Sequence, residues 1–223
     1  ISHRCLRLDR RCVPCGKGID RFQLYDLDGS LRPYIDHLQD AGLDVEYVEG
    51  FSKRFRTLDG LRVQGQNYLV EDLCFEHCLI TNYGHSSWLQ FLHGPDSFLF
   101  SSKGWTLKDA LRRLEAKALL PICGVSVRTA RFGGKALVPA NASAGDRPDE
   151  RPLPLRFVHR ERELTPPWKV DEPLVRPAVA LAAQGHRPIC PPESETMLMP
   201  PDWWRSNHYY DARHARCLDC TTS

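Results

Sequence analysis

Apolar and β-prone residues come in short runs along most of this chain, and the sharpest run folds back on itself. Phe55 to Val70, FRTLDGLRVQGQNYLV, reads as two strands turning at Asp59-Gly60. An Asp-Gly pair between β-prone runs is a strong hairpin signal, because a type I′ turn needs positive φ at both central residues. The turn sets Leu58 against Leu61 and Arg56 against Val63 on one face. Thr57 opposes Arg62, and Phe55 opposes Gln64, on the other. Gly65 then interrupts the second strand, as a bulge would.

On either side the pattern predicts alternating elements. Phe22 to Tyr25 reads as a short strand. Pro33 opens a helix with apolar positions at Tyr34, Leu38 and Leu43 and Gly42 near its end, and Val45 to Val48 resumes as strand. Leu73 to Ile80 (LCFEHCLI) reads as a buried strand, Trp88 to Leu92 as a short helix or turn, and Ser97 to Phe100 as another buried strand. The clearest helix is Thr106 to Leu119. Thr106 caps it with Asp109 three residues on, and Leu107, Leu111, Leu114 and Ala118 make its apolar face. Pro121 ends it; Gly124 to Ala130 alternates as a strand, and Lys135 to Val138 adds a last one after Gly133-Gly134.

From Pro139 the character changes. Thirteen of the seventeen prolines lie between Pro139 and Pro201, so regular elements are expected to be few, with short ones at Arg151 to Val158 and Leu174 to Ala183. Yet the segment keeps Phe157, Trp168, Met197, Met199, Trp203, Trp204, Tyr209 and Tyr210, as a tail lying along a partner surface would. The pattern divides the chain into an N-terminal extension (1–50), an α/β domain (51–140) and a proline-rich tail (141–223). The expected fold class is α/β: a compact three-layer domain with a mixed β-sheet and long irregular extensions.

Composition narrows the chemistry. Lysine plus arginine number 30 against 28 acidic residues, a net charge of +2 that gives no global nucleic-acid footprint. No run of 18 apolar residues predicts a membrane span. Nine cysteines at irregular spacing do not form a secreted disulfide framework, and point instead to a reducing compartment with some thiols on metal.

Three stretches, in order, resemble one family. TLDGLRVQG at 57–65 is similar to its signature hairpin. DSFLFSSKG at 96–104 stands where the family has a buried strand and a small Gly-rich loop. The helix at 107–119 with PICGVSVRTA, then GGKALVP at 133–139, resembles its last helix and closing strand. The family is that of mitochondrial complex I assembly factor 3 and its small archaeal and bacterial relatives, a domain of unknown function, and the resemblance covers about residues 51–140. It implies a three-layer α/β domain that binds partner proteins, with no catalytic residues to carry over. The chain departs from the family at Ser101-Ser102-Lys103-Gly104 and in a shortened stretch between Ala130 and Gly133, both of which argue against a retained pocket.

Three constellations could carry chemistry. Cys12-Val13-Pro14-Cys15-Gly16 has the form of a zinc knuckle, and Cys217-Leu218-Asp219-Cys220 forms a second C-x-x-C pair. Together Cys12, Cys15, Cys217 and Cys220 supply the four thiolates of a structural zinc site if the termini meet. His208, His214, Cys5 or a partner's ligand could substitute, and two unrelated surface pairs are the plain alternative. Asp26 and Asp28 in YDLDGSL resemble motif I of the haloacid-dehalogenase phosphatases, where a first Asp attacks phosphorus, a second acts as acid/base and Mg²⁺ neutralises charge; an acidic turn after a strand is the simpler account. Cys74 and Cys78 are expected on one face of a strand with His77 opposite, so they make no chelating set.

The expected function is therefore non-catalytic: a structural or assembly component of a large particle in the mitochondrial matrix, most of all the mitochondrial ribosome. It would contact other proteins, and rRNA through Arg4, Arg7, Arg10, Arg11 and the tail, with no small-molecule substrate. A respiratory complex I assembly factor or accessory subunit, and a Mg²⁺-dependent phosphatase using Asp26 and Asp28, are the alternatives.

Overall fold

The computed structural model of the chain describes residues 2–8, 18–26, 29–51, 67–92, 97–133, 160–169, 171–209 and 220–221. The fold is α/β, as expected. Its main sheet has seven strands. In spatial order these are β12 (Glu195–Leu198), β6 (Ile122–Ser126), β9 (Leu174–Val175), β4 (Trp88–Leu92), β1 (Ser2–Leu8), β2 (Arg21–Asp26) and β3 (Val45–Glu49). β2 and β3 pair in parallel, as do β6 and β12, while β1 and β9 are antiparallel to both of their neighbours. It follows that β2, β3, β4, β6 and β12 all run one way, and their carboxyl ends share one edge. Segments 1–50, 51–140 and 141–223 each contribute strands to this sheet.

Among the described residues three helices cover it: α1 (Arg32–Asp40) between β2 and β3, α2 (Asn67–Thr81) between β3 and β4, and α3 (Leu107–Glu115) before β6. Side-chain alternation assigns their layers. Leu24 and Val45 pack with Ile35 of α1. Trp88, Ile122, Val125 and Leu174 pack with Leu107, Leu111 and Leu114 of α3. Tyr25, Val48, Leu89, Phe91 and Val175 turn the other way, onto Val70, Cys74, Phe75 and Cys78 of α2. Because Leu24 and Leu92 both stand opposite Arg4 in the strand register, α1 and α3 share one face and α2 holds the other. Right-handed crossovers demand this for the first two helices. The chain moves outward from β2 to β3, then back past β2 to β4, and reversing direction puts α1 and α2 on opposite faces.

A second sheet rises from the carboxyl edge of the first. Its five strands run β14 (Cys220–Thr221), β8 (Arg160–Glu161), β7 (Thr129–Phe132), β13 (Trp204–Tyr209) and β5 (Ser97–Ser101). β5 begins a few residues past the end of β4, and β7 begins just past the end of β6. A separate hairpin, β10 (Ala182–Gln184) with β11 (Arg187–Ile189), lies against α2. Asp72 and Glu76 of α2 accept the amide N–H groups of Gly185 and Ala183 at 3.0 and 2.7 Å.

Two expected elements exchange identity. Leu73–Ile80 is not a strand but lies inside α2. Val70, Cys74, Phe75, Cys78 and Leu79 are its buried apolar positions among the described ones, a helical period that becomes visible only when the window starts before Leu73. Trp88–Leu92 is not a helix but β4. Every residue in it is buried, because helices cover the sheet on both faces there, so the run lacks the alternation that marks a half-exposed strand. Strands β1, β8, β11, β12 and β13 were not expected, since the pattern reads the N-terminal segment and the proline-rich tail as irregular extensions. The remaining expected elements fall close to their places. Phe22–Tyr25 lies in β2, the Pro33 helix is α1, and Val45–Val48 lies in β3. Ser97–Phe100 lies in β5, and Gly124–Ala130 divides between β6 and β7. Thr106 and Asp109 form the expected capping box. The Asp59-Gly60 hairpin, the strand at 135–138 and the segment 151–158 lie outside the described residues.

The tail aromatics are turned inward. Trp204 and Met199 are fully buried in the cluster that α3 makes with β6, with Met197 and Trp203 against its edge. Tyr209 stacks on Phe132 with ring centroids 4.8 Å apart. Cys123 in β6 is joined to Cys190, just past β11, by a disulfide, and Cys78 is disulfide-bonded as well. Gly124, beside Cys123, leaves room for the ring of Pro188; a Cβ there would stand 2.4 Å from its Cγ. Among the described residues no helix is long and apolar enough to cross a membrane.

Cys190→Ser, with the remaining disulfides intact, should lower stability by about 2–4 kcal/mol, since the Cys123–Cys190 link closes a long loop of the unfolded chain. Urea unfolding checks this; equal midpoints for the two proteins would mean the link adds nothing.

Candidate functional site

The parallel strands assemble their carboxyl ends along one edge, and two polar networks sit there. At the end of β2, the carboxylate of Asp26 is fully buried and engaged at both oxygens. Oδ1 accepts Gly29 N–H at 3.0 Å; Oδ2 accepts Leu31 N–H at 2.8 Å and the Tyr47 hydroxyl at 2.6 Å. Leu31 is the N-cap of α1 and has no capping side chain of its own, so Asp26 caps the helix from the preceding strand. Gly29, at φ +89°, makes the turn that brings these amides back onto Asp26. Burial, and then the bond to Asp26, holds the Tyr47 hydroxyl well above its ordinary range. Alongside, Tyr25 hydrogen-bonds His77 Nδ1 at 2.7 Å and meets the Phe51 ring edge-on.

Asp26 thus organises a loop. Three donors, two of them backbone amides of the turn, fill most of the acceptor capacity of its carboxylate. Asp28, its expected partner, lies outside the described residues.

The second network stands at the end of β6. Asp171 is completely buried and accepts from the Ser126 hydroxyl, from Thr165 Oγ1 at 3.1 Å and from the backbone N–H of Trp168 at 2.7 Å. Thr165 Oγ1 in turn accepts the N–H of Thr129, the first residue of β7, at 3.1 Å. Ser126 ends a strand of the first sheet and Thr129 begins one of the second, so a single carboxylate staples the junction. Burial pushes the Asp171 carboxyl up, and its three donors with nearby Arg128 only partly pull it back, leaving it above the ordinary carboxylate range. Trp168, which gives its N–H to Asp171, is the one non-glycine among the described residues with positive φ, at 60°.

Next to this staple is a face of buried, neutral polar atoms. Ser206 on β13 stands opposite Thr129 on β7 and shares a face with Trp204 two residues away. Ser206 Oγ, Thr129 Oγ1 and Trp204 Nε1 are buried without a hydrogen-bond partner. Buried polar groups left unpaired are uncommon and costly, by about 1–3 kcal/mol each, so three on one face are a feature to account for.

Cys12, Cys15 and Cys217 lie outside the described residues, and of Cys220 only the backbone is described, in β14 opposite Glu161. Among the described residues no group of three His, Cys, Asp or Glu could hold a metal ion. Arg4 and Arg7 belong to β1 in the middle of the main sheet; Arg10 and Arg11 lie outside the described residues. Cys74 and Cys78, expected on one face of a strand, are instead one helical turn apart in α2 and both buried. Burial, with Glu71, pushes the free Cys74 thiol above its ordinary range, so it is not a reactive thiolate. Neither Asp171 nor Trp168 stood out as a site residue in the sequence, because nothing in PPWKVDEP signals a buried carboxylate.

No protein-family model matches the chain, and no curated protein matches it.

The raised carboxyl of Asp171 carries a pH signature. The folded state keeps a proton that the unfolded chain releases near pH 4, so stability falls as pH rises from there through the folded value. Urea midpoints measured from pH 4 to 7 should show this fall in the wild type and a flatter profile in Asp171→Asn. Parallel profiles would remove Asp171 as the cause.

Proposed function

We propose that this chain is a nucleotide-binding α/β domain that serves group transfer. It holds a nucleoside diphosphate across the carboxyl ends of β2, β4 and β6, with a hydroxyl-rich group, such as a glycosyl unit, attached to the distal phosphate. The observation that carries this reading is the β2–α1–β3–α2–β4 unit, three parallel strands wound through helices on opposite faces. The unit differs from a mononucleotide-binding half, in which both crossovers run one way, and antiparallel β1 lies between β2 and β4. The general rule for open α/β sheets still applies, that ligands lie outside the carboxyl ends of the strands where strand order reverses. Here the reversal falls between β2 and β4.

Two details support the choice of ligand. The amides of Gly29 and Leu31, in the loop that leads into α1 and would cradle phosphate in a dinucleotide-binding loop, are already taken by Asp26, and position 33 is a proline with no N–H to offer. That end of the edge therefore suits base and ribose better than pyrophosphate. At the β6 end, the unpaired hydroxyls of Thr129 and Ser206 and the indole N–H of Trp204 are neutral donors and acceptors. They match the hydroxyls of a sugar better than the charge of a phosphate.

The disulfides bear on location. Cys123–Cys190 and the disulfide at Cys78 support an oxidising compartment over the mitochondrial matrix, where thiols stay reduced. A second reading, the non-catalytic component of a mitochondrial ribosome or of respiratory complex I assembly, keeps one support: the exposed apolar residues Ile80, Tyr83 and Leu181, which could meet a partner protein. Its main argument is weaker, because the tail's anchors pack inside the chain itself.

Titration of the oxidised protein with UDP, GDP, ADP, UDP-glucose and GDP-mannose, with and without Mg²⁺ or Mn²⁺, tests the proposal. At least one nucleotide should raise the melting temperature saturably, and a sugar-bearing form should bind more tightly than its bare diphosphate. No saturable binding by any of them, together with co-sedimentation with a ribosomal subunit that ribonuclease abolishes, would replace this reading with the particle one.

A further inference from the structure

Trp105 and Trp203 meet edge-on with ring centroids 5.2 Å apart, and three cations crowd them. The Arg113 guanidinium stands over the Trp105 ring at 4.2 Å and the Lys103 ammonium at 5.6 Å, while the Lys117 ammonium lies over Trp203 at 4.9 Å. Three segments supply the group. Trp105 precedes the cap of α3, and Arg113 and Lys117 come from α3 and the turn that ends it. Trp203 leads into β13, its carbonyl accepting Ser102 N–H at 3.1 Å. Both indoles are half-buried, Trp203 against the edge of the cluster around α3, and all three cations are exposed.

The patch keeps positive charge to offer. Of the carboxylates nearby, Asp202 pairs with Lys103 at 3.2 Å, Asp109 with Arg112 at 3.0 Å, and Glu115 with Arg176 and the Trp88 indole N–H. Among the described residues neither Arg113 nor Lys117 has a carboxylate within ion-pair distance. Two residues beyond Lys117 stands Leu119, 93 % exposed, followed by Leu120, 47 % exposed. Glu195 Oε1 accepts both of their amide N–H groups, at 2.8 and 3.0 Å, which fixes the backbone that presents them. A single exposed leucine is ordinary; a fixed pair next to cation-covered indoles asks for a partner.

The chemistry selects that partner. A nucleic-acid strand stacks its bases on open aromatic faces, and here cations already stand over both rings. An anionic lipid surface uses indoles at the membrane boundary, cations at the headgroups and apolar side chains reaching just below them.

We propose that Lys103, Trp105, Arg113, Lys117, Leu119 and Trp203 form a docking surface for an anionic phospholipid bilayer, a peripheral attachment and not a span. It is independent of the nucleotide reading, and either can fail without the other.

Co-sedimentation of the oxidised protein with phosphatidylcholine vesicles, with and without phosphatidylserine, tests this. Phosphatidylserine should strengthen binding, and added salt should release the protein, because screening weakens attraction to the headgroups. Arg113→Gln with Lys117→Gln should weaken binding roughly 30-fold, at about 5-fold for each basic residue. Leu119→Ser, which leaves the charge alone, should weaken it about 10-fold, as expected for a leucine that leaves water. All three side chains are exposed, so the variants should melt with the wild type. Heparin and a single-stranded oligonucleotide serve as soluble polyanions. If either binds as tightly as the vesicles and Leu119→Ser changes nothing, the surface serves a soluble polyanion and the lipid proposal is overturned. Equal binding with and without phosphatidylserine, or no binding to either vesicle, overturns it as well.

Discussion

Two residues, Leu174 and Val175, hold the main sheet together. They form β9, which pairs antiparallel with β4 on one side and β6 on the other, and without it the sheet would part into two halves. Both side chains are completely buried and point to opposite faces: Leu174 into the cluster around α3, Val175 into the cluster around α2. So short a strand has little stability of its own. It is kept in place by burial on both faces, worth about 1.5–3 kcal/mol per side chain, and by hydrogen bonds to two strands that are themselves covered. The position of β6, and with it the edge where β6 meets the second sheet, depends on this wedge.

The same segment explains the polar junction. Having entered the sheet at Leu174, the chain must reach it from the second sheet, and residues 165–171 make that approach. A buried Asp171 at the corner satisfies the loop's Trp168 N–H and the hydroxyls of Ser126 and Thr165, which would otherwise be buried without partners. The cost is a desolvated carboxyl, which explains its raised proton affinity. Structure and candidate chemistry converge because the loop that closes the fold also lines the edge.

How much of this was legible follows from what each signal measures. The α3 helix was readable to its cap because Thr106, Asp109 and the leucine spacing are all local. β2, α1 and β3 were readable for the same reason, though not the crossover they make, since pairing is a long-range property. α2 was misread because LCFEHCLI, cut out at Leu73, hides the period that begins at Val70, and β4 because a strand buried on both faces has no alternation to show. The tail was misjudged on a better rule. Prolines do argue against regular structure, but Leu174, Met199 and Trp204 are core residues, and strands of two to six residues fit between the prolines. The disulfides were hidden by irregular spacing and an odd cysteine count. Asp171 and Trp168 carry no sequence signature, since their meaning arises only where loop, sheet end and junction meet.

Whether the tail's aromatic residues face a partner or the chain's own core separates the two functional readings. A subunit that lies along a larger particle keeps its anchors for that surface, and alone it should expose them. Here Trp204 and Met199 are enclosed, Trp203 and Met197 lie against the same cluster, and Tyr209 is stacked on Phe132. Such a chain completes its own fold, and what stays unsatisfied is both polar and apolar: Thr129 Oγ1, Ser206 Oγ and Trp204 Nε1 lack hydrogen-bond partners, while Ile80, Leu119 and Leu181 stay exposed. Apolar surface left over asks for a protein; buried hydrogen-bonding capacity left over asks for a small polar ligand. This chain has both: exposed apolar residues such as Ile80, Leu119 and Leu181, and the buried unpaired polar atoms of β7 and β13. The first supports a protein partner and the second the proposed ligand, which is the difference the two readings turn on.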